Sequence, residues 1–195
     1  MPGAFEASPE FDHDPLRTAA EIQRSGEDTL EWLITVANTE QRQVDVGLIE
    51  EIHRRWFETT FPVDAGARRT SAVTNRKGTA APVEGILPSL THACENWRWR
   101  RESCAPNDER EQVAFAISEA NTIAVAAYDI HPFIDGHTRT TWHLRNYVLV
   151  LDGFRPLIDL DNESEYEAAW WASTPLSHDE LDRIVAEQLA RDDQI

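Results

Sequence analysis

Apolar residues recur every three or four positions along most of the chain, a spacing that places them on one face of an α-helix. The fourth of these stripes is unusually wide, which predicts a central helix that is buried on most sides. Gly26 interrupts the first stripe, and we interpret that stripe as two short helices. The stripes run over residues 14–37, 46–59, 88–101, 108–129, 137–151 and 177–191.

Two regions lack this helical period. Between Gly66 and Val83, the run Asn75-Arg76-Lys77-Gly78 separates two short segments and predicts a small β-hairpin. At the N-terminus, proline, glycine and acidic residues outnumber periodic apolar ones, a composition typical of a flexible arm.

The pattern therefore predicts a mostly α fold with one small β-hairpin. We expect a flexible acidic arm over residues 1–15, N-terminal helices over residues 16–39 and a folded domain over residues 40–195.

The charge balance restricts the classes of partner. The chain has 195 residues and a formal net charge of −17, and its acid excess is concentrated in residues 1–31 and 152–195. Such a surface repels a phosphate backbone, so we expect no nucleic-acid binding. No apolar run reaches the ~20 residues of a membrane span, and the N-terminus lacks the layout of a signal peptide. We expect no membrane insertion and a cytoplasmic protein.

One segment between two helical stripes, from His131 to Arg139, contains several side chains that could act in catalysis or ligand binding. His131 has an ordinary pKa near working pH and could accept a proton from a hydroxyl. Asp135 supplies a hard carboxylate, and a single carboxylate together with substrate phosphates commonly holds Mg²⁺. Acid–base and metal-binding groups are thus only four positions apart.

The same segment also carries a candidate anion site at the predicted start of a helix. The backbone N–H groups of Gly136, His137 and Thr138 would be free there, and Arg139 could add a charge-assisted contact. A base, a metal ligand and an anion site together suggest phosphoryl-group chemistry.

The segment His131-Pro132-Phe133-Ile134-Asp135-Gly136-His137-Thr138-Arg139 resembles the signature of the Fic/Doc family (filamentation induced by cAMP). The signature reads His-Pro-Phe-x-Asp/Glu-Gly-Asn-Gly/Lys-Arg-x-x-Arg. The resemblance extends over about residues 40–190, because residues 66–70 resemble the family's Gly-x-x-Arg lead-in and residues 153–156 its Gly-Tyr-Pro-Pro turn. It implies the Fic fold, with residues 71–82 as the hairpin flap.

The resemblance also implies an activity. Family members transfer AMP from ATP, or another phosphate-containing group, to a hydroxyl on a protein. It assigns the general base to His131, the Mg²⁺ ligand to Asp135, part of the anion hole to Gly136 and the phosphate clamp to Arg139. A hydroxyl-bearing protein or small-molecule acceptor would dock near residues 71–79, by strand pairing with the flap.

Three positions depart from the signature. The expected Asn is His137, which can also donate a hydrogen bond but from a different distance. The expected Gly or Lys is Thr138, whose side chain narrows the anion hole. The second Arg is Trp142, which replaces a phosphate clamp by an aromatic surface that could stack on a base or fill the pocket. We place all three in the nucleotide-binding site.

These departures leave two alternatives to a divergent Fic-type transferase. The first is a catalytically impaired binding module that keeps the flap for docking. The second is a metal-dependent enzyme in which His131, Asp135, His137 and His143 hold a transition metal. We interpret His53 as structural, and Trp170 and Trp171 as part of a core or a lid over the pocket.

Overall fold

The computed structural model describes residues 15–158, 160 and 162–192, so the predicted arm over residues 1–15 lies almost entirely outside them. The described residues form seven α-helices and a short 3₁₀ turn at Val83–Gly85. Six helices lie where the apolar stripes predict them, within a few residues at their ends. The helices are α1 (Pro15–Thr39), α2 (Val46–Phe57), α3 (Ile86–Ser103), α4 (Glu109–Ile130), α5 (His137–Leu151), α6 (Glu163–Ala172) and α7 (Asp179–Asp192).

The prediction of two helices separated by Gly26 is wrong, because α1 is continuous. Gly26 instead allows close packing: a Cβ there would lie 2.8 Å from a ring carbon of Trp56. The Trp56 indole N–H donates to the carbonyl of Ile22 at 2.8 Å, and His143 lies 2.9 Å from the carbonyl of Gly26. The missing side chain thus brings α2 and α5 against α1.

Helix α6 is the element that the apolar pattern did not reveal. Its N-terminus carries a reciprocal cap in which the Asn162 side chain accepts from the N–H of Glu165 and donates to the Glu165 carboxylate. Only Tyr166, Ala169 and Trp170 are buried in this ten-residue helix. Three apolar contacts make a weak stripe, but Asn162 followed three positions later by Glu165 is a capping signature that was available in the sequence.

Helices α4 and α5 form the centre of the domain, and the loop that joins them, residues 131–136, carries the motif. As predicted, α4 is buried along most of its length. It is also long and apolar enough to cross a membrane, but 61% of its apolar window is buried inside the protein. That burial is typical of the core helix of a globular domain.

The predicted β-hairpin is not confirmed, since residues 71–82, which we call the flap, contain no strand among the described residues. A turn is present where expected: the N–H of Gly78 donates to the carbonyl of Asn75 at 3.0 Å. At its base the flap is tied to the motif loop, because Arg69 N donates to Pro132 O and Ala81 N to Ile130 O. Ala81 in the flap and Arg69 just before it therefore bond to the end of α4 and to the motif loop. The prediction had instead paired the two arms of the flap with each other.

Candidate functional site

His131 occupies a strained backbone position at the end of α4. Its φ of 56° and ψ of 62° are left-handed, a region that side chains other than glycine rarely adopt. Its N–H still bonds to the carbonyls of Ala127 and Tyr128, and its own carbonyl accepts from Arg69 Nε at 2.7 Å. The fold thus holds this residue on both sides, and the imidazole is turned out of the helix that precedes it.

Arg69 is the residue that fastens the motif loop to the flap. Its buried guanidinium donates to three backbone carbonyls, those of His131, Ser71 and Ala81. The Gly-x-x-Arg lead-in places its arginine at position 69, but the local sequence does not reveal these three hydrogen bonds. The neighbouring Arg68 points elsewhere and forms a half-exposed ion pair with Glu50 at 3.2 Å.

We expect Arg69→Met to destabilise the protein by about 2–3 kcal/mol, because three part-buried hydrogen bonds to backbone carbonyls lose their charged donor. Urea unfolding measures this change. Arg68→Met is the matched control and should change stability by less than ~1 kcal/mol. Equal effects of the two substitutions would refute the anchoring role.

The imidazole of His131 stacks on that of His137, with ring centroids 3.3 Å apart and planes 9° apart. The edge of the Tyr128 ring contacts it from another side at 5.6 Å. Burial lowers the pKa of His131, and the nearby Arg69 acts in the same direction. A neutral imidazole is the form that accepts a proton, so these surroundings suit a general base.

The side chain of His137 points into the protein. Its Nε2 accepts a hydrogen bond from the N–H of Phe133 at 3.0 Å, so the ring proton is on Nδ1. Burial lowers the pKa of His137 to about 2, with the His131 charge as a further cause. The imidazole of His137 is therefore neutral and holds the motif loop through its hydrogen bond with Phe133. The backbone N–H of His137 belongs to the first turn of α5.

His53 holds the same loop from α2. Its Nδ1 accepts from the N–H of Gly66 at 2.8 Å, so Nε2 carries the proton and donates to the carbonyl of Asp135 at 3.1 Å. Its ring also stacks on Phe133 at 3.9 Å. His53 therefore joins the lead-in of the flap to the motif loop, which is a structural role.

Burial lowers the pKa of His53 to about 4, against about 6.5 for an exposed histidine. Because the unfolded chain binds this proton more readily, the contribution of His53 to stability is complete above about pH 6.5 and declines as the pH falls toward 4. We expect a loss of up to about 3 kcal/mol from this group over that window. Urea unfolding of wild type and His53→Gln at several pH values measures it, and parallel pH profiles would contradict it.

Gly136 begins α5 with a φ of 77°, and no side chain caps this end of the helix. A Cβ at Gly136 would lie 2.4 Å from a ring carbon of Phe57, so only glycine fits here. Thr138 and Arg139 in the first turn are exposed. An uncapped helix N-terminus beside an exposed guanidinium is suited to binding an anion, and the predicted anion site stays a prediction.

Asp135 is exposed, and within the described part of the chain its carboxylate takes part in no hydrogen bond or ion pair. A free carboxylate next to an anion site fits a hydrated Mg²⁺ that also binds substrate phosphates. The alternative of a histidine metal centre is wrong for the described residues, which contain no group of three metal-ligating side chains. His143 lies away from the motif against Trp56, and His137 Nε2 is occupied.

Comparison with known proteins places this loop in a family. The family model described as the Fic/DOC family matches residues 43–149, more than half of the chain. The chain belongs to the Fic/DOC family. Among curated proteins, the protein adenylyltransferase fic-1 of Caenorhabditis briggsae is 31% identical over 139 residues, which cover 69% of this chain and 25% of that protein. The homologue of Caenorhabditis elegans is 30% identical over a stretch of the same length.

Solved structures agree on the fold. Fic-1 from Caenorhabditis elegans has a TM-score of 0.73 at 24% identity, over 96% of this chain and 52% of that one. A Fic-domain signalling protein from Bacteroides thetaiotaomicron has the same TM-score at 16% identity, over 96% of this chain and 72% of that one. The chain spans about a quarter of the length of the curated relatives it matches.

In this Fic/DOC chain, the position of the expected second Arg is filled by an aromatic cluster. Trp142 is half-buried and packs edge-on against Tyr166 of α6, with ring centroids 5.5 Å apart. Beneath it lies the guanidinium of Arg145, 4.2 Å from the Trp142 ring centroid. The sequence analysis missed Arg145, although an arginine one helical turn after Trp142 in an apolar stripe was a visible signal.

Aromatic rings connect this cluster to the motif histidines, and we call the set the aromatic wall. Neighbouring ring centroids in this set are 5.5–6.3 Å apart. Two cations of the flap contact these rings: the Arg76 guanidinium lies 4.4 Å from the Trp171 ring centroid, and the Lys77 ammonium lies between the rings of Tyr128 and Trp170. The Lys77 ammonium also donates to the carbonyl of Ser173 at 2.7 Å and pairs with Asp129 at 3.2 Å. The wall consists of Tyr128, Trp142, Tyr166, Trp170 and Trp171.

Proposed function

We propose that this chain is a Fic-type transferase that moves AMP, or another phosphate-containing group, from a nucleotide donor to a hydroxyl acceptor. The observation that carries the proposal is the convergence, in one short loop, of a half-buried imidazole, an unpaired carboxylate and an uncapped helix N-terminus. Protein adenylyltransferases among the relatives support the same class of reaction. ATP is the donor that these names favour.

In this proposal the acceptor hydroxyl gives its proton to His131 as its oxygen attacks the α-phosphorus of the nucleotide. The new oxygen–phosphorus bond forms as the bond to pyrophosphate breaks. The N–H groups of the first turn of α5 and the guanidinium of Arg139 bind the phosphate oxygens, where negative charge develops. Asp135 would hold Mg²⁺, which neutralises phosphate charge when it is bound.

The three departures from the signature receive separate roles. We assign the side chain of His137 to the support of His131, since its Nε2 is occupied by Phe133. Thr138 contributes its N–H and an exposed hydroxyl to the anion site. Trp142, as part of the aromatic wall, offers a surface beside the anion site for a nucleobase.

The acceptor docks near residues 71–79 in this proposal, and it is a protein or a small molecule that carries a hydroxyl. The flap contains a turn but no strand among the described residues. An incoming extended segment could pair with it as an added strand.

One observation favours a second candidate, a binding module without transfer activity. Trp142 and Tyr166 fill the position from which a second arginine would reach the phosphates, so nucleotide affinity could be lost while the flap remains. Such a protein would dock a partner through residues 71–79 and transfer nothing.

Calorimetric titration with ATP, GTP, CTP and UTP, each with and without Mg²⁺, distinguishes the two candidates. The transferase predicts Mg²⁺-dependent binding of at least one nucleotide, with a matching rise in Tm because the ligand stabilises the native state. The bound nucleotide, labelled at its α-phosphate, then identifies the acceptor. Failure of all four to bind would reject the transferase and favour the binding module.

A further inference from the structure

Arg145 is a fully buried cation with an exposed fraction of 0%, and none of the described residues gives it an anionic partner. Its Nη1 donates to the hydroxyl of Tyr166, while Nε and Nη2 have no hydrogen-bond partner among the described residues. No ion pair joins it to a carboxylate in that part of the chain. Burying a cation in this way is strongly unfavourable unless another group compensates it.

Its neighbours do not supply that compensation. Burial raises the pKa of Tyr166, so the phenol is neutral. The rings of Trp142 and Tyr166 attract the guanidinium, at 4.2 and 5.0 Å, but accept none of its free N–H groups. By contrast, the buried guanidinium of Arg69 donates to three carbonyls. Arg145 is therefore left with two donors for an acceptor from outside the described residues.

The position of Arg145 on α5 indicates which acceptor this is. Thr138, Trp142 and Arg145 are four and three positions apart, so they share one face of the helix. Helical side chains lean toward the N-terminus of their helix. The guanidinium of Arg145 does so, since it lies against Trp142, one turn nearer to the candidate anion site. The Cα atoms of Thr138 and Arg145 are only about 10 Å apart along the helix axis.

We propose that Arg145 is a second phosphate-binding residue of this chain, covered by Trp142 until a nucleotide displaces that indole. The inference rests on the proposed function, because it needs a nucleotide at the α5 N-terminus. Arg145 then donates Nε and Nη2 to oxygens of the polyphosphate that lie beyond the first turn of α5. Trp142 remains beside the nucleotide as part of the aromatic wall.

The test compares ATP with adenosine, each in the presence of Mg²⁺, by calorimetry on wild type and Arg145→Met. Methionine keeps the apolar stem and removes only the charged donors. We expect ATP to bind roughly 10- to 100-fold more weakly to the variant, the usual effect of losing charged hydrogen bonds, with adenosine binding unchanged. The Tm without ligand should not fall, because an uncompensated charge has been removed.

Two results would overturn the inference: unchanged ATP affinity, or an equal loss for ATP and adenosine. Arg145→Lys covers the case in which the methionine variant does not fold, since lysine keeps the charge but loses the planar fork. It should bind ATP at least about fivefold more weakly, and wild-type affinity would again be contradictory. The control is Arg183→Met, whose exposed guanidinium pairs with Glu165, Glu180 and Glu187.

The wild-type titration separates this inference from the proposed function. If wild type binds no ATP, both fail, and the failure appears before any variant is made. If wild type binds ATP and the Arg145 variants match it, the transferase stands and only the role of Arg145 is rejected.

Discussion

Replacing His131 with alanine is expected to lower the rate of group transfer by about 100- to 10,000-fold, the usual contribution of a positioned general base. Nucleotide affinity should stay within about twofold of wild type, because in the proposed mechanism the imidazole deprotonates the acceptor and the first turn of α5 binds the phosphates. The measurement is transfer of α-phosphate label at saturating nucleotide, together with a calorimetric titration of both proteins. The proton-accepting role and the binding role are thereby measured separately.

His92→Ala is the control for loss of a histidine, because His92 is an exposed histidine on α3, outside the motif loop. It should leave both transfer and binding unchanged. His131→Ala with full activity would remove His131 from the mechanism. A proportional loss of nucleotide affinity would instead make His131 part of the binding site, and the stacking on His137 at 3.3 Å would then serve ligand binding.

Replacing Gly136 with alanine is expected to destabilise the protein by about 3–4 kcal/mol and to abolish transfer. Left-handed backbone costs a non-glycine residue about 1–2 kcal/mol, and overpacking of a filled core typically costs a further 1–3. The overlap here is severe, since the new Cβ would lie 2.4 Å from the Phe57 ring. Either the ring or the first turn of α5 must move, and a shifted first turn no longer presents its N–H groups to phosphate.

A second substitution tests this explanation. Phe57→Leu removes the ring that meets the new Cβ, so Gly136→Ala should cost less stability in a Phe57→Leu background than in wild type. The backbone part of the penalty, about 1–2 kcal/mol, should remain. Urea unfolding of the two single variants and the double variant measures both parts. Additive effects would show that Phe57 does not explain the requirement for glycine.

Local patterns were enough to predict most of the helices and the family to which the motif loop belongs. The apolar stripes predicted the burial of α4 and the start of α5, because the spacing of apolar side chains indicates where a helix runs and which of its faces is buried. Asp45 is of a residue type that favours helix N-caps, and it caps α2 by accepting from the N–H of Leu48 at 2.6 Å. The signature residues were identified because they are contiguous, and the match over residues 43–149 agrees with that assignment.

Other features depend on residues that are far apart in the sequence. Gly26 has the same local signal whether it breaks a helix or admits Trp56, and only the packing of α1 against α2 decides between them. Arg69 donates to the flap carbonyls of Ser71 and Ala81 and also to the carbonyl of His131, which is 62 positions away in the sequence. Short-range patterns cannot contain such contacts.

By itself, then, the sequence determined the helical class, the family and the set of side chains in the motif loop, because each of these depends on residues that are close together in the sequence. Only the tertiary structure decided how those groups are used. It turned His137 toward Phe133, tied the loop to His53 and Arg69, and buried Arg145 beneath Trp142. The physical reason is that protonation, hydrogen-bond partners and burial are properties of surroundings, and residues distant in sequence provide those surroundings.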